Sequence, residues 1–156
     1  MPVLYSHQKV LLSVSRKKDL SHLVFMKNAI NPPSVRKPFG SYNHGLLVPP
    51  GASLLVTSGQ LGIAVDDTIP EGVTAQAELC FKAIGAILEE AGMTYADVIR
   101  ISGFVTRRED FAAYMAVRDR YTLDPKPVST LLVVGGFTRA EFLVEVEVTA
   151  AKVVTL

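Results

Sequence analysis

Phe142-Leu-Val-Glu-Val-Glu-Val-Thr149 is the stretch on which the fold of this chain turns. Successive side chains of a strand point to opposite faces. Phe142, Val144, Val146 and Val148 therefore make one wholly apolar face, which reads as core, and Leu143, Glu145, Glu147 and Thr149 share the other. Two carboxylates two residues apart on so apolar a strand either meet solvent or line a polar pocket. The pocket is the stronger reading for Glu145; Glu147 reads as a salt-bridged or exposed neighbour.

The segment before it supports a sheet that needs two covers. Val128, Thr130, Leu132 and Val134 alternate with Ser129, Leu131 and Val133, so both faces of that strand are largely apolar. A sheet apolar on both sides must be covered on both. Earlier in the chain, His44–Val48, Ser53–Ser58 and Leu61–Val65 read as short strands, and 99–106 as a fourth. Thr74–Ala91 is the clearest helix, with Ala77, Cys80, Phe81, Ile84, Ile87 and Leu88 at spacings of three and four. Gly92 is placed to end it. Glu109–Tyr121 reads as a second amphipathic helix, with Glu109 and Asp110 near its positive end.

The order β-β-β-α-β-α-β-β predicts an α+β layer, two helices on one face of a single mixed sheet. The other face is then most simply covered by a second copy of the chain, so a homo-oligomer is expected, with Glu145 and Glu147 at or beside its interface.

Composition bounds the rest. The chain has 156 residues, the size of one domain, and 49% of them are hydrophobic. Its mean hydropathy is +0.30, at the apolar end for a globular domain. No apolar run approaches the roughly 18 residues of a membrane helix, so no membrane partner is expected. Cys80 is alone and His7, His22 and His44 are scattered, which gives neither a disulfide framework nor metal-ligand spacing. The expectation is a cofactor-free, cytoplasmic protein with Cys80 in the core. Glycines at 59 and 135–136 fit turns rather than a phosphate loop, because no Walker or Gly-x-Gly-x-x-Gly pattern is present.

Charge is unevenly spread. Residues 1–38 hold seven Lys/Arg against one Asp, a net +6, and the remainder is net −5. Residues 1–37 read as a basic N-terminal extension, either solvated or the product of a start placed too early. Asn31-Pro-Pro-Ser34 and Pro38-Phe-Gly40 read as a linker, so the domain is placed at 38–156. No aromatics interleave with Arg16-Lys17-Lys18 as single-strand binding requires, and the domain proper is acidic, so nucleic acid is a poor partner.

Six motifs stand in order: Gly40-Ser-Tyr-Asn-His-Gly45, Thr57-Ser-Gly-Gln60, Ile87-Leu-Glu-Glu-Ala-Gly92, Asp97-Val-Ile-Arg-Ile-Ser-Gly-Phe-Val105, Pro127-Val-Ser-Thr130 and Leu143-Val-Glu-Val-Glu147. Together they resemble the RidA/YjgF family from Pro38 to about Ala150. The resemblance implies a chorismate-mutase-like fold assembled as a homotrimer, with clefts between subunits. It implies hydrolysis of reactive enamines and imines, such as 2-aminoacrylate, to 2-oxo acids and ammonia. By resemblance Glu145 is the catalytic carboxylate, the first Glu of the family's Glu-x-Glu strand. Tyr42, Ser58 and Gly59 match substrate-orienting positions.

One departure bears on chemistry. Active members carry Arg in a Pro-x-Arg-Ser/Thr motif, and that Arg forks onto the substrate carboxylate. Here Pro127-Val128-Ser129-Thr130 has Val128 or a near neighbour in the Arg slot, followed by Thr130, and Met115 stands where the family has Asn. Arg107, Arg118, Arg120 and Arg139 are the cations that a neighbouring subunit can offer instead. Three functions compete: a Rid-type hydrolase, a non-catalytic trimer that binds a small metabolite or a partner protein, and, weakest, an endoribonuclease or translation inhibitor.

Overall fold

A computed structural model of the chain describes residues 27–153; residues 1–26, most of the basic extension, lie outside the described residues. The strands are β1 (Asn28–Ile30), β2 (Gly45–Leu47), β3 (Ala52–Val56), β4 (Gln60–Leu61), β5 (Val98–Val105), β6 (Val128–Val133) and β7 (Val144–Val153). The helices are α1 (Val73–Glu90) and α2 (Phe111–Arg118). Strands β3, β7, β5 and β6 lie side by side in that order, with β4 also on β7. Only β5 and β6 run parallel, joined through α2, as a parallel pair requires a crossover.

The expected core strand is the centre of this sheet. Phe142, Val144, Val146 and Val148 are at most 3% exposed, and Glu145, Glu147 and Thr149 alternate with them on the half-covered face. Helix α1 lays Ala77, Cys80, Phe81, Ile84 and Leu88 on that apolar face. Its end is set by Gly92, at φ 66°, where the Met93 N–H closes onto the Leu88 carbonyl at 2.7 Å. Phe81 also stacks on Tyr121 with ring centroids 4.7 Å apart. Cys80 is fully buried, and burial pushes its thiol up to about 12, so it stays protonated and inert.

Four expectations shift. The strand expected at Leu61–Val65 is only Gln60–Leu61, because the chain turns at once: Asp67 N–H bonds Ala64 O and the Asp66 carboxylate takes Thr68 N–H. The second helix is α-helical only over Phe111–Arg118, with single 3₁₀ turns at each end. The last strand begins at Val144 rather than Phe142. Asn28–Ile30, placed in the extension, pairs antiparallel with Gly45–Leu47 in a separate two-stranded sheet. Among the described residues no helix is long and apolar enough to cross a membrane.

Both helices cover one face of the large sheet. The opposite face exposes Leu54, Val56 and Leu132 by half or more.

One core polar group lacks a partner. The Tyr114 hydroxyl is buried with no hydrogen bond among the described residues, pressed on Gly103 of β5, where a Cβ would sit 2.5 Å from its Cζ. An unpaired buried hydroxyl costs about 1–3 kcal/mol. Tyr114→Phe is therefore expected to leave stability unchanged or raise it by about 1 kcal/mol, read from urea unfolding midpoints.

Candidate functional site

The sequence-derived residues gather into two groups, one at each side of the sheet. The first is built on β7. The loop between β3 and β4 is fixed by Thr57, which is buried and exchanges bonds with Val148: its N–H donates to Val148 O at 3.0 Å, and its Oγ1 accepts Val148 N–H at 3.0 Å. Pairing then resumes with Gln60 opposite Val146 and Leu61 opposite Glu145. Ser58 and Gly59 are thereby held beside Glu145. The fit at Gly59 is close: a Cβ there would overlap Glu145 Oε1 and stand 2.5 Å from its Cδ. Gly59 is a glycine because the carboxylate occupies the space of its side chain, not because its backbone is left-handed. Ser58 is exposed and Glu145 half-buried, with Phe104 of β5 directly across from it.

The second group is built where the Gly40–Gly45 loop meets the start of β6. Asn43 pins the loop, its N–H to Pro127 O at 3.1 Å and its side-chain amide to Lys126 O at 2.6 Å. Tyr42 is half-buried, and its hydroxyl accepts the Phe39 N–H at 3.2 Å. Met115 is 37% exposed on α2.

The sequence leaves the cationic slot to Val128 or a near neighbour, and the two candidates face opposite ways. Val128 pairs in register with Arg100 on the helix-free face, where Thr130 follows beside Ser102. The residue two after Pro127 is Ser129, on the helix side, and its hydroxyl accepts an N–H from Arg118 Nη1 at 3.2 Å. Arg118 is only 4% exposed. Sequence pattern alone named Arg118 among four surface-type cations; its burial comes from its place one turn beyond Tyr114 and Met115, facing β6.

One protomer does not join the two groups. Glu145 aligns through Phe104 with Leu132, so Ser129 lies two strands and three residues away, roughly 10 Å across the sheet and 10 Å along it. Among the described residues no group of three or more His, Cys, Asp or Glu is arranged to hold a metal.

Gln76 escaped the sequence reading. It is 1% exposed on the apolar stripe of α1, and its amide donates to Pro70 O at 3.0 Å and Glu141 O at 2.9 Å. Its Oε1 accepts Leu143 N–H at 2.8 Å. It thus fixes the chain just before Glu145. Its four-residue spacing from Cys80 was the available signal.

Comparisons with known proteins fit this arrangement. A RutC family protein of Haemophilus influenzae is 36% identical over 70 residues, 44% of this chain and 54% of that protein, so the match spans about half the length of that relative. A 2-iminobutanoate/2-iminopropanoate deaminase of Dermatophagoides farinae is 25% identical over 103 residues, 65% of this chain and 78% of that protein. The crystal structure of a conserved Rid family protein of unknown function from Yersinia pestis superposes with a TM-score of 0.69 at 22% identity, over 80% of this chain and 97% of that one, a likeness of fold. The family model described as endoribonuclease L-PSP matches residues 33–152, and the chain belongs to that family, the RidA/YjgF family.

Proposed function

We propose that this protein is a Rid-type hydrolase that converts reactive 2-imino or 2-enamino acids to 2-oxo acids and ammonia, in clefts formed where copies of the chain meet. The observation that carries this reading is the seating of Glu145. A carboxylate half-withdrawn from water and packed on the Gly59 backbone, with no hydrogen-bond partner among the described residues, has a restricted position and no competing partner. The apolar helix-free face and the separation of the two residue groups support a composite site. One protomer supplies Glu145, Ser58 and Gly59, and its neighbour supplies the Tyr42 loop and the start of β6, in a homotrimer. The deaminase named above supports the substrate class. A reducing compartment such as the cytosol suits a chain with one buried thiol, and none of the steps depends on it.

The chemistry is addition followed by elimination. On the protonated imine, Glu145 takes a proton from water as the oxygen attacks the imine carbon, giving a neutral carbinolamine. Glu145 returns that proton to the amino nitrogen. It then takes the hydroxyl proton as the C=O bond forms and the C–N bond breaks, and passes it to the departing ammonia, which leaves as ammonium. Imine and water become ketone and ammonia, with no redox change. A positioned general base of this kind contributes about 10²–10⁴-fold.

The test generates 2-aminoacrylate or a bulkier imine in situ and follows 2-oxo acid release. Wild type is expected to accelerate release, and Glu145→Ala to lose about 100-fold or more. The missing strand Arg favours a second reading, a metabolite-binding trimer without turnover. Wild type that binds a 2-oxo acid but accelerates no imine hydrolysis would establish that reading instead.

A further inference from the structure

We propose that Arg118 of α2 forms the anion subsite of the cleft and takes the carboxylate of the substrate. For its ligand class the proposal rests on the hydrolase reading above. The guanidinium is the one cationic group nine-tenths buried among the described residues. Asp119 Oδ1 engages its Nε at 2.9 Å and Nη2 at 2.6 Å, and Ser129 Oγ engages Nη1 at 3.2 Å. A guanidinium carries five N–H donors, so two remain, one on each terminal nitrogen. That is the pair that grips a carboxylate end-on.

The surroundings set the direction of approach. Gly40, exposed in the loop that carries Tyr42, lies over the guanidinium: a Cβ there would stand 3.9 Å from Nη2. The Tyr42 hydroxyl accepts from Phe39 and keeps its own proton to donate. An incoming carboxylate would thus meet a fixed fork beside the loop that carries the phenol. Asp119 holds the fork in place from its far edge, its own side chain 40% exposed to solvent, which limits its repulsion of a second anion. Ser129 leaves room at the head of β6 for a cation that arrives from the helix instead of the strand.

The experiment measures binding rather than turnover. Wild type, Arg118→Met and Arg118→Lys are titrated with 2-oxobutanoate and with its uncharged amide, by calorimetry or by amide chemical shifts. Wild type is expected to prefer the acid, and Arg118→Met to lose about tenfold or more in affinity for the acid alone, the scale of one charge-assisted hydrogen bond. Arg118→Lys, which keeps charge but not the fork, is expected to fall between them. In Arg118→Met combined with Ser129→Arg the cation returns from the strand, and acid preference is expected to recover. Equal acid binding by wild type and Arg118→Met, parallel loss of acid and amide, or no acid binding by wild type each overturns the proposal. Failure of the hydrolase reading is seen separately, as absence of ammonia release by a wild type that still discriminates acid from amide.

Discussion

Alanine at position 59 is expected to abolish turnover and leave the fold standing. The added Cβ overlaps Glu145 Oε1 and lies 2.5 Å from Cδ and 2.8 Å from Cγ. All three are atoms of one flexible side chain, so the clash is relieved by rotating Glu145 out of its seat rather than by moving backbone. Stability is expected to change by less than about 1 kcal/mol, a shift of a few degrees in Tm for a domain of this size. Activity is expected to fall about 100-fold or more, as for loss of the base itself. Gly59→Ala, Glu145→Ala and the double variant should share one residual rate, because groups acting as a unit are not additive. A folded Gly59→Ala protein with the wild-type rate of 2-oxo acid release would show that the seat has no part in the chemistry.

Gln76→Leu is expected to produce the largest loss of stability of any single conservative change discussed. Leucine keeps the volume but strands two carbonyls, of Pro70 and Glu141, and the Leu143 N–H. Three such groups at about 1 kcal/mol each, the low end for groups that are only part-buried, give roughly 3 kcal/mol in total. That is a large part of the ~5–15 kcal/mol holding an ordinary domain together. Urea unfolding followed by far-ultraviolet circular dichroism measures it; a midpoint within error of wild type would mean the amide only fills space. Relaxation is hard here because Gly62 lies directly on this residue, where even a Cβ would come within 2.6 Å of the Gln76 Cα. The activity should fall with the stability, since the segment released leads straight into β7.

The elements that were legible in the sequence are those whose pattern has one cause. Alternation in Phe142–Thr149 and the three-four spacing of Ala77, Cys80, Phe81, Ile84 and Leu88 both record contact with a single core, and both recur in the structure. Gly92 was readable because a helix end needs a residue tolerant of positive φ. Position 61–65 was not, since an apolar run looks the same whether it pairs or turns, and the Asp66 bond that turns it is invisible to periodicity. The site was half legible. Glu145 announced itself as a charge on an apolar strand. Gly59 read as a turn glycine, although its cause is a carboxylate 86 residues away in sequence, brought there by the register of β4 on β7. Arg118 is harder still. Its four-residue spacing from Tyr114 puts it on the buried stripe of α2, unlike the exposed Arg120, but only the packing of α2 against Ser129 shows that a guanidinium is held there.

The longest strand of the sheet has consequences for which parts of the molecule open together. β7 is laddered on one side by β3 and β4 and on the other by β5, so its amides are released only when the whole sheet comes apart. The β1–β2 ribbon stands apart with three residues in each strand, and such a ribbon can fray alone. Among the described residues, Glu145 is therefore expected to ride on a slow-exchanging strand, while the loop bearing Tyr42 leads into a ribbon expected to exchange faster. A base at Glu145, as proposed above, would thus be held in the rigid sheet, and local opening would be left to the ribbon beside the Tyr42 loop.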